Sequence, residues 1–167
     1  MSRALLVIDI QNDYFAGGAL PLHQAEEVEA GIVAAIGQAQ KAGELVVLVQ
    51  HVSNALTGLF AAGASGTAIR PAILAAAGEA PVVVKQVADA FQDTDLSGYL
   101  EGVTELLICG MMTQNCVVFT AMSRSADPFD VTVIGDLCAA PTEAVHKIAL
   151  NALASKLRVA TSGDIWR

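Results

Sequence analysis

Positive charge is scarce in this sequence: 9 Lys and Arg stand against 17 Asp and Glu, a net charge of −8. No stretch gathers Lys and Arg into the patch that a phosphate backbone demands, so nucleic acid is not an expected partner. Long apolar runs are missing as well. A membrane span needs roughly 18 apolar residues in a row, and every run here is broken early by Gly, Pro or a charge. The first run, from Ala4 to Ile8, meets Asp9 at once, which no secretory h-region carries. The expectation is a soluble, cytoplasmic protein without a membrane partner. Cysteine is sparse: Cys109, Cys116 and Cys138 form no CxxC pair and no zinc spacing, and in a reducing compartment they should be free thiols. No GxGxxG follows the first apolar run, where Ile10-Gln11-Asn12 stands instead, so dinucleotide binding is not expected. A P-loop and a GxSxG elbow are also lacking.

What is plentiful is apolar. Of the 167 residues 54% are hydrophobic and 16% charged, against about 25% charged in an average domain. That excludes disorder and fits one domain spanning residues 1–167. It also suggests more apolar surface than one small monomer can hide, so a homo-oligomer, dimer or larger, is expected.

Five apolar runs are nearly continuous rather than alternating: Ala4–Ile10, Leu45–Gln50, Pro81–Lys85, Glu105–Cys109 and Val131–Asp136, with Arg158–Thr161 a weaker sixth. Continuous runs are what a parallel sheet covered on both faces requires. Helical spacing lies between them. Val28, Ile32, Ile36 and Ala39 recur three or four apart, and Gly43 follows as a C-terminal cap. A helix is predicted over 115–126 with Val117, Val118, Ala121 and Met122 turned inward. Another follows Thr142 to about Lys156, with Thr142 as cap and Glu143 in its first turn. Shorter helices are predicted near Pro71–Ala77 and Asp95–Leu100. The fold class is therefore α/β: one doubly wound, mainly parallel six-stranded sheet with helices on both faces. The longest irregular stretch, from His51 to Ile69, contains Gly58, Gly63 and Gly66, and loops of that length are usually functional.

Ligands bind such sheets at the carboxyl ends of the strands. Asp9 ends the first, Gln50 and His51 the second, Lys85 the third, Cys109 and Gly110 the fourth, and Gly135 and Asp136 the fifth. Cys116 follows the fourth after a short turn. Each has a bland reading: Cys116 as a small buried hydrophobe, Asp9 as a loop cap, Lys85 as an exposed strand end. Cys109 suits a buried strand and Cys138 an ordinary loop. The joint presence of an acid, a cation and a thiol on one rim favours nucleophilic chemistry, with Lys85 and a helix N-terminus lowering the thiol's pKa.

The segment Ala4-Leu-Leu-Val-Ile-Asp-Ile-Gln-Asn-Asp-Tyr-Phe resembles the N-terminal signature of the isochorismatase-like cysteine hydrolases, the family that includes nicotinamidases. Lys85-Gln-Val-Ala-Asp-Ala-Phe is similar to the family's lysine motif, and Gly110-Met-Met-Thr-Gln-Asn-Cys-Val to its nucleophile motif. The resemblance runs from about residue 4 to 161. It implies an Asp9, Lys85 and Cys116 triad, a cis peptide between Met111 and Met112, and an oxyanion hole from the Met112 and Cys116 amides, with Thr113 bracing the turn. It further implies hydrolysis of a small carboxamide or related C–N bond through a thioester. Vinyl-ether hydrolysis and a non-catalytic small-molecule-binding or interaction module are the alternatives. Gln11, Phe15, His51, Phe60 and Phe91 fall on the rim as candidate pocket residues, the aromatics being equally open to a core role. Two departures stand out. Asp89-Ala90-Phe91 replaces the usual Ser-Ala-Phe, and of the Asp and two His that bind metal in nicotinamidases only His51 is present. No metal and no cofactor are expected. His146 is expected to be a surface or packing residue, and Trp166 to dock on a partner subunit.

Overall fold

The computed structural model describes residues 2–167. Six strands form one parallel sheet in the order β3-β2-β1-β4-β5-β6. They are β1 (Arg3–Ile8), β2 (Leu45–His51), β3 (Val82–Lys85), β4 (Glu105–Met111), β5 (Asp130–Ala139) and β6 (Arg158–Ala160). The chain winds outward in one direction from β1 to β3 and in the other from β4 to β6, so the switch point lies between the neighbours β1 and β4.

Alternate residues of each central strand feed two separate cores. Leu5 and Val7 of β1 join Leu107, Cys109 and Met111 of β4 on one face, while Ala4, Leu6 and Ile8 join Leu106 and Ile108 on the other. The first face is covered by α1 (Ala25–Lys41) and α2 (Pro71–Ala77), with Ile165 of α6 (Ser162–Ile165) packed against it. The second is covered by α3 (Leu96–Tyr99), α4 (Val118–Ala121) and α5 (Glu143–Ala154). Burial on both sides explains why the strand sequences lack alternation, and each fully buried Leu or Ile contributes about 1.5–3 kcal/mol. Val28, Ile32, Ile36 and Ala39 all face inward from α1, and Gly43 follows it at φ +72°, a conformation glycine adopts without Cβ strain.

Three expectations are corrected. The predicted 115–126 helix is instead a π-helical turn over Thr113–Val117, the single α turn of α4, and a 3₁₀ turn that restarts where Ser123 Oγ accepts the Ser125 N–H. Met122 consequently points outward, 38% exposed. The fifth strand continues past Asp136 because Leu137, Cys138 and Ala139 are apolar and re-pair with β4 beyond a bulge, which places Cys138 in a buried strand rather than a loop. Asp136 projects from that bulge and accepts hydrogen bonds from the N–H and hydroxyl of Ser162. Apart from these, Trp166 is part-buried against the first core and donates its indole N–H to Glu44, a placement that leaves its expected docking on a partner subunit untouched. No helix among the described residues is long and apolar enough to cross a membrane.

Candidate active site

The carboxyl end of β1 is shaped by two backbone features. Asp9 turns the chain at φ +55°, a left-handed conformation that Asp tolerates better than most residues. Opposite Ile8 in the sheet, Gly110 sits at φ +126°, and a Cβ there would collide with the Ile8 backbone. Only glycine lets β4 come this close to β1, and that approach brings the turn after β4 to Asp9. The Met111–Met112 peptide is cis. It leads into the π-helical turn that carries Cys116, a local geometry frequent at functional sites.

Asp9, Lys85 and Cys116 meet there, at the ends of three strands. Lys85 Nζ lies 2.9 Å from Asp9 Oδ2 and 3.3 Å from Cys116 Sγ. The same nitrogen lies 2.8 Å from His51 Nδ1 and donates to the Val87 carbonyl at 3.1 Å. Asp9 is 0%, Lys85 1% and Cys116 2% exposed, whereas His51 is half-buried. Lys85 apart, neither carboxylate oxygen of Asp9 has a hydrogen-bond partner among the described residues.

Burial dominates the electrostatics. It raises the Asp9 pKa above the ordinary carboxylate value even though Lys85 pulls the other way. The Cys116 thiol is pushed up to about 12, by burial first and by the Asp9 charge second, with Lys85 opposing. This reverses the expectation of a depressed thiol. A four-residue α4 entered through a π turn supplies little dipole, and Lys85 is shared with a carboxylate. The resting group is therefore a thiol beside an ion pair.

Donor atoms of Asp9, His51 and Cys116 all lie within 4.8 Å of one another, which resembles a metal-ligand set. The Lys85 ammonium stands within 2.8–3.3 Å of those same residues, and a bound cation would be forced against it. The residues present therefore do not fit a resident metal.

Of the expected pocket residues, Gln11 grips the His51 backbone from both sides. Its Oε1 accepts the His51 N–H at 2.9 Å, and its Nε2 donates to the His51 carbonyl at 2.8 Å and to the Thr67 carbonyl at 2.7 Å. Phe60 lies against the His51 ring, centroids 5.5 Å apart, and edge-on to Tyr14 at 4.8 Å. Phe15 is covered by the Arg70 guanidinium at 4.1 Å from its centroid. Phe91 stacks on Phe129 and shares the second core with Cys116. Two contributors escaped the sequence. Asp13 is buried in the 3₁₀ turn after β1 (Asn12–Tyr14) and holds the His51–Ile69 stretch by accepting the Phe60 N–H at 2.8 Å. His146, expected to be a surface or packing residue, places Nδ1 2.8 Å from Thr113 Oγ1 and so ties α5 to the start of the Cys116 turn. A cavity of about 320 Å³, lined by His23, Cys138, Thr142 and His146 among others, opens behind that contact. Both links join residues more than 30 positions apart, and no local pattern signals them.

Comparison with known proteins supplies the wider context. Residues 3–164 match the family model for the isochorismatase domain. An uncharacterized isochorismatase family protein of Bacillus subtilis is 35% identical over 145 residues, covering 85% of this chain and 80% of that protein. A nicotinamidase of Escherichia coli is 28% identical over 175 residues, 81% of this chain and 82% of its own. The crystal structure of an isochorismatase family protein from Desulfovibrio vulgaris superposes with a TM-score of 0.89 at 27% identity, over 98% of this chain and 96% of that one.

Proposed function

The chain belongs to the isochorismatase domain family, and we propose that it is a cysteine-dependent hydrolase of small carboxamides or related C–N bonds. The observation that carries this reading is the placement of Lys85 Nζ within 2.9 Å of Asp9 and 3.3 Å of Cys116 in a buried cluster. Kinship with a nicotinamidase supports the choice of an amide over another bond.

The proposed reaction follows from the charge states. Asp9 is ionised at rest and Cys116 keeps its proton. As an amide binds, that proton moves to Asp9, and the sulfur bonds to the carbonyl carbon while Lys85 compensates the departing negative charge. The carbonyl oxygen takes up the negative charge and is met by the backbone N–H groups of Met112 and Cys116. The C–N bond then breaks, and the leaving nitrogen takes the proton from Asp9, giving a thioester and free amine. Water next gives one proton to Asp9 and its hydroxyl to the same carbon. The C–S bond breaks, and the sulfur regains its proton from Asp9. No net charge is created in the buried site at any step, which suits a group as deeply desolvated as Asp9.

Replacing Cys116 with Ala is expected to abolish ammonia release from a panel of small amides and ureides, a loss of at least about a thousandfold. The circular dichroism spectrum of the variant should stay that of the parent. Undiminished turnover by the variant would sink the proposal.

A further inference from the structure

We propose that His51 selects the substrate: Lys85 fixes its ring in one tautomer, and the Nε2–H left over binds a second hydrogen-bond acceptor that the substrate carries beside its scissile carbonyl. This rests on the hydrolase reading above and names the substrate class within it.

Lys85 faces a carboxylate at 2.9 Å and a thiol at 3.3 Å, so it stands as an ammonium, with three N–H donors and no acceptor. Four groups share those three protons, the Val87 carbonyl at 3.1 Å included, and the thiol is the most distant. The His51 Nδ1 at 2.8 Å is the nearest of the four, and an N–H there would be set against the ammonium, so Nδ1 contributes a lone pair and the ring's proton resides on Nε2. A half-turn of the ring would set Cδ2 rather than Nδ1 against Lys85 and forfeit that contact. Gln11 holds the His51 N–H and carbonyl together, and Phe60 lies along the ring. Burial, reinforced by the Lys85 charge, brings the imidazole down to about 4, so at neutral pH it is uncharged.

Nε2 has no hydrogen-bond partner among the described residues. His51 is also the one member of the cluster that is part-exposed, while Asp9, Lys85 and Cys116 are buried. A neutral donor on the part-exposed member of a cluster whose Asp9 and Lys85 charges cancel suits an uncharged amide with a further acceptor, such as a ring nitrogen or a second carbonyl oxygen. An ammonium at that place would set N–H against N–H. Sites built around a buried polar group discriminate strongly against ligands that leave it unpaired.

Two measurements test this. In protein carrying ¹⁵N-labelled histidine, the resonance lost in His51→Gln should report a neutral ring protonated on Nε2 at pH 7; an imidazolium or an Nδ1–H ring overturns the proposal. Turnover is then compared in matched pairs, nicotinamide against benzamide and malonamide against butyramide. The acceptor-bearing member should be favoured at least about tenfold in kcat/KM. His51→Gln, whose amide nitrogen can reach the Nε2 position, should retain a preference. His51→Leu should bring the two members within about twofold of each other, mainly through KM for the acceptor-bearing one. Equal loss on both members leaves the ratio untouched and overturns the proposal. Hydrolysis without discrimination by the parent protein overturns this inference alone, whereas failure to hydrolyse any amide sinks the hydrolase reading and this one with it.

Discussion

At the scale of single residues, the acid is the group whose titration should be visible. Because burial raises the Asp9 pKa and the ionised form is the base, kcat/KM should fall on acidification at a pH above the ordinary carboxylate value of 3.8. A pH profile of amide hydrolysis measures this, and an acid limb at or below that value contradicts the assignment. For stability the sign is opposite. A folded pKa above the unfolded one means that the ionised group is held at a cost, so its stabilising contribution fades as pH rises through the folded pKa. Asp9 and Lys85 were legible in the sequence because each interrupts an apolar strand where an unpaired charge would be expensive. The direction of the Cys116 shift was not, since it depends on how short α4 is and on who else shares Lys85. Nor was the pairing of Lys85 with His51, a side-chain contact across 34 positions.

At the scale of elements, local chemistry sets boundaries that single substitutions can probe. Thr142 Oγ1 accepts the Val145 N–H at the start of α5, and Thr142→Ala should cost about 1 kcal/mol. In a chain of this size that lowers the melting temperature by about 2–4 °C, readable by calorimetry; no shift would mean that the helix start is held by the Thr113–His146 contact instead. The strands were readable because doubly covered strands are apolar along their whole length, and α1 because its apolar positions keep helical spacing to Gly43. The region after β4 was not. Asn115 to Ala126 carries helical periodicity, yet the π turn shifts the phase of every later residue, and Met122 is swung outward. The length of β5 was obscured in the same way, because Asp136 looked like a strand end while it sits on a bulge.

At the scale of the whole molecule, the buried ion pair couples three strands. Asp9 follows β1, Lys85 closes β3, and β2 lies between them. Removing one partner leaves a charge in the interior, so Lys85→Met should cost about 3–5 kcal/mol. Adding Asp9→Asn to that variant should restore part of the loss, as urea unfolding would show, and an additive double mutant would refute the coupling. The pair is nevertheless unevenly supported. Asp9 is anchored to the central strand, whereas Lys85 rides on β3, four residues long, at the margin of the sheet, with Val82 and Val84 facing water. Short peripheral strands with few buried contacts open at the lowest free energies. Gentle warming should therefore peel Lys85 from its partners while the central strands stay intact, so half of the activity should vanish at a temperature several degrees below the midpoint of the circular dichroism transition. The protein would then behave as a fuse, going silent before it melts and recovering on cooling.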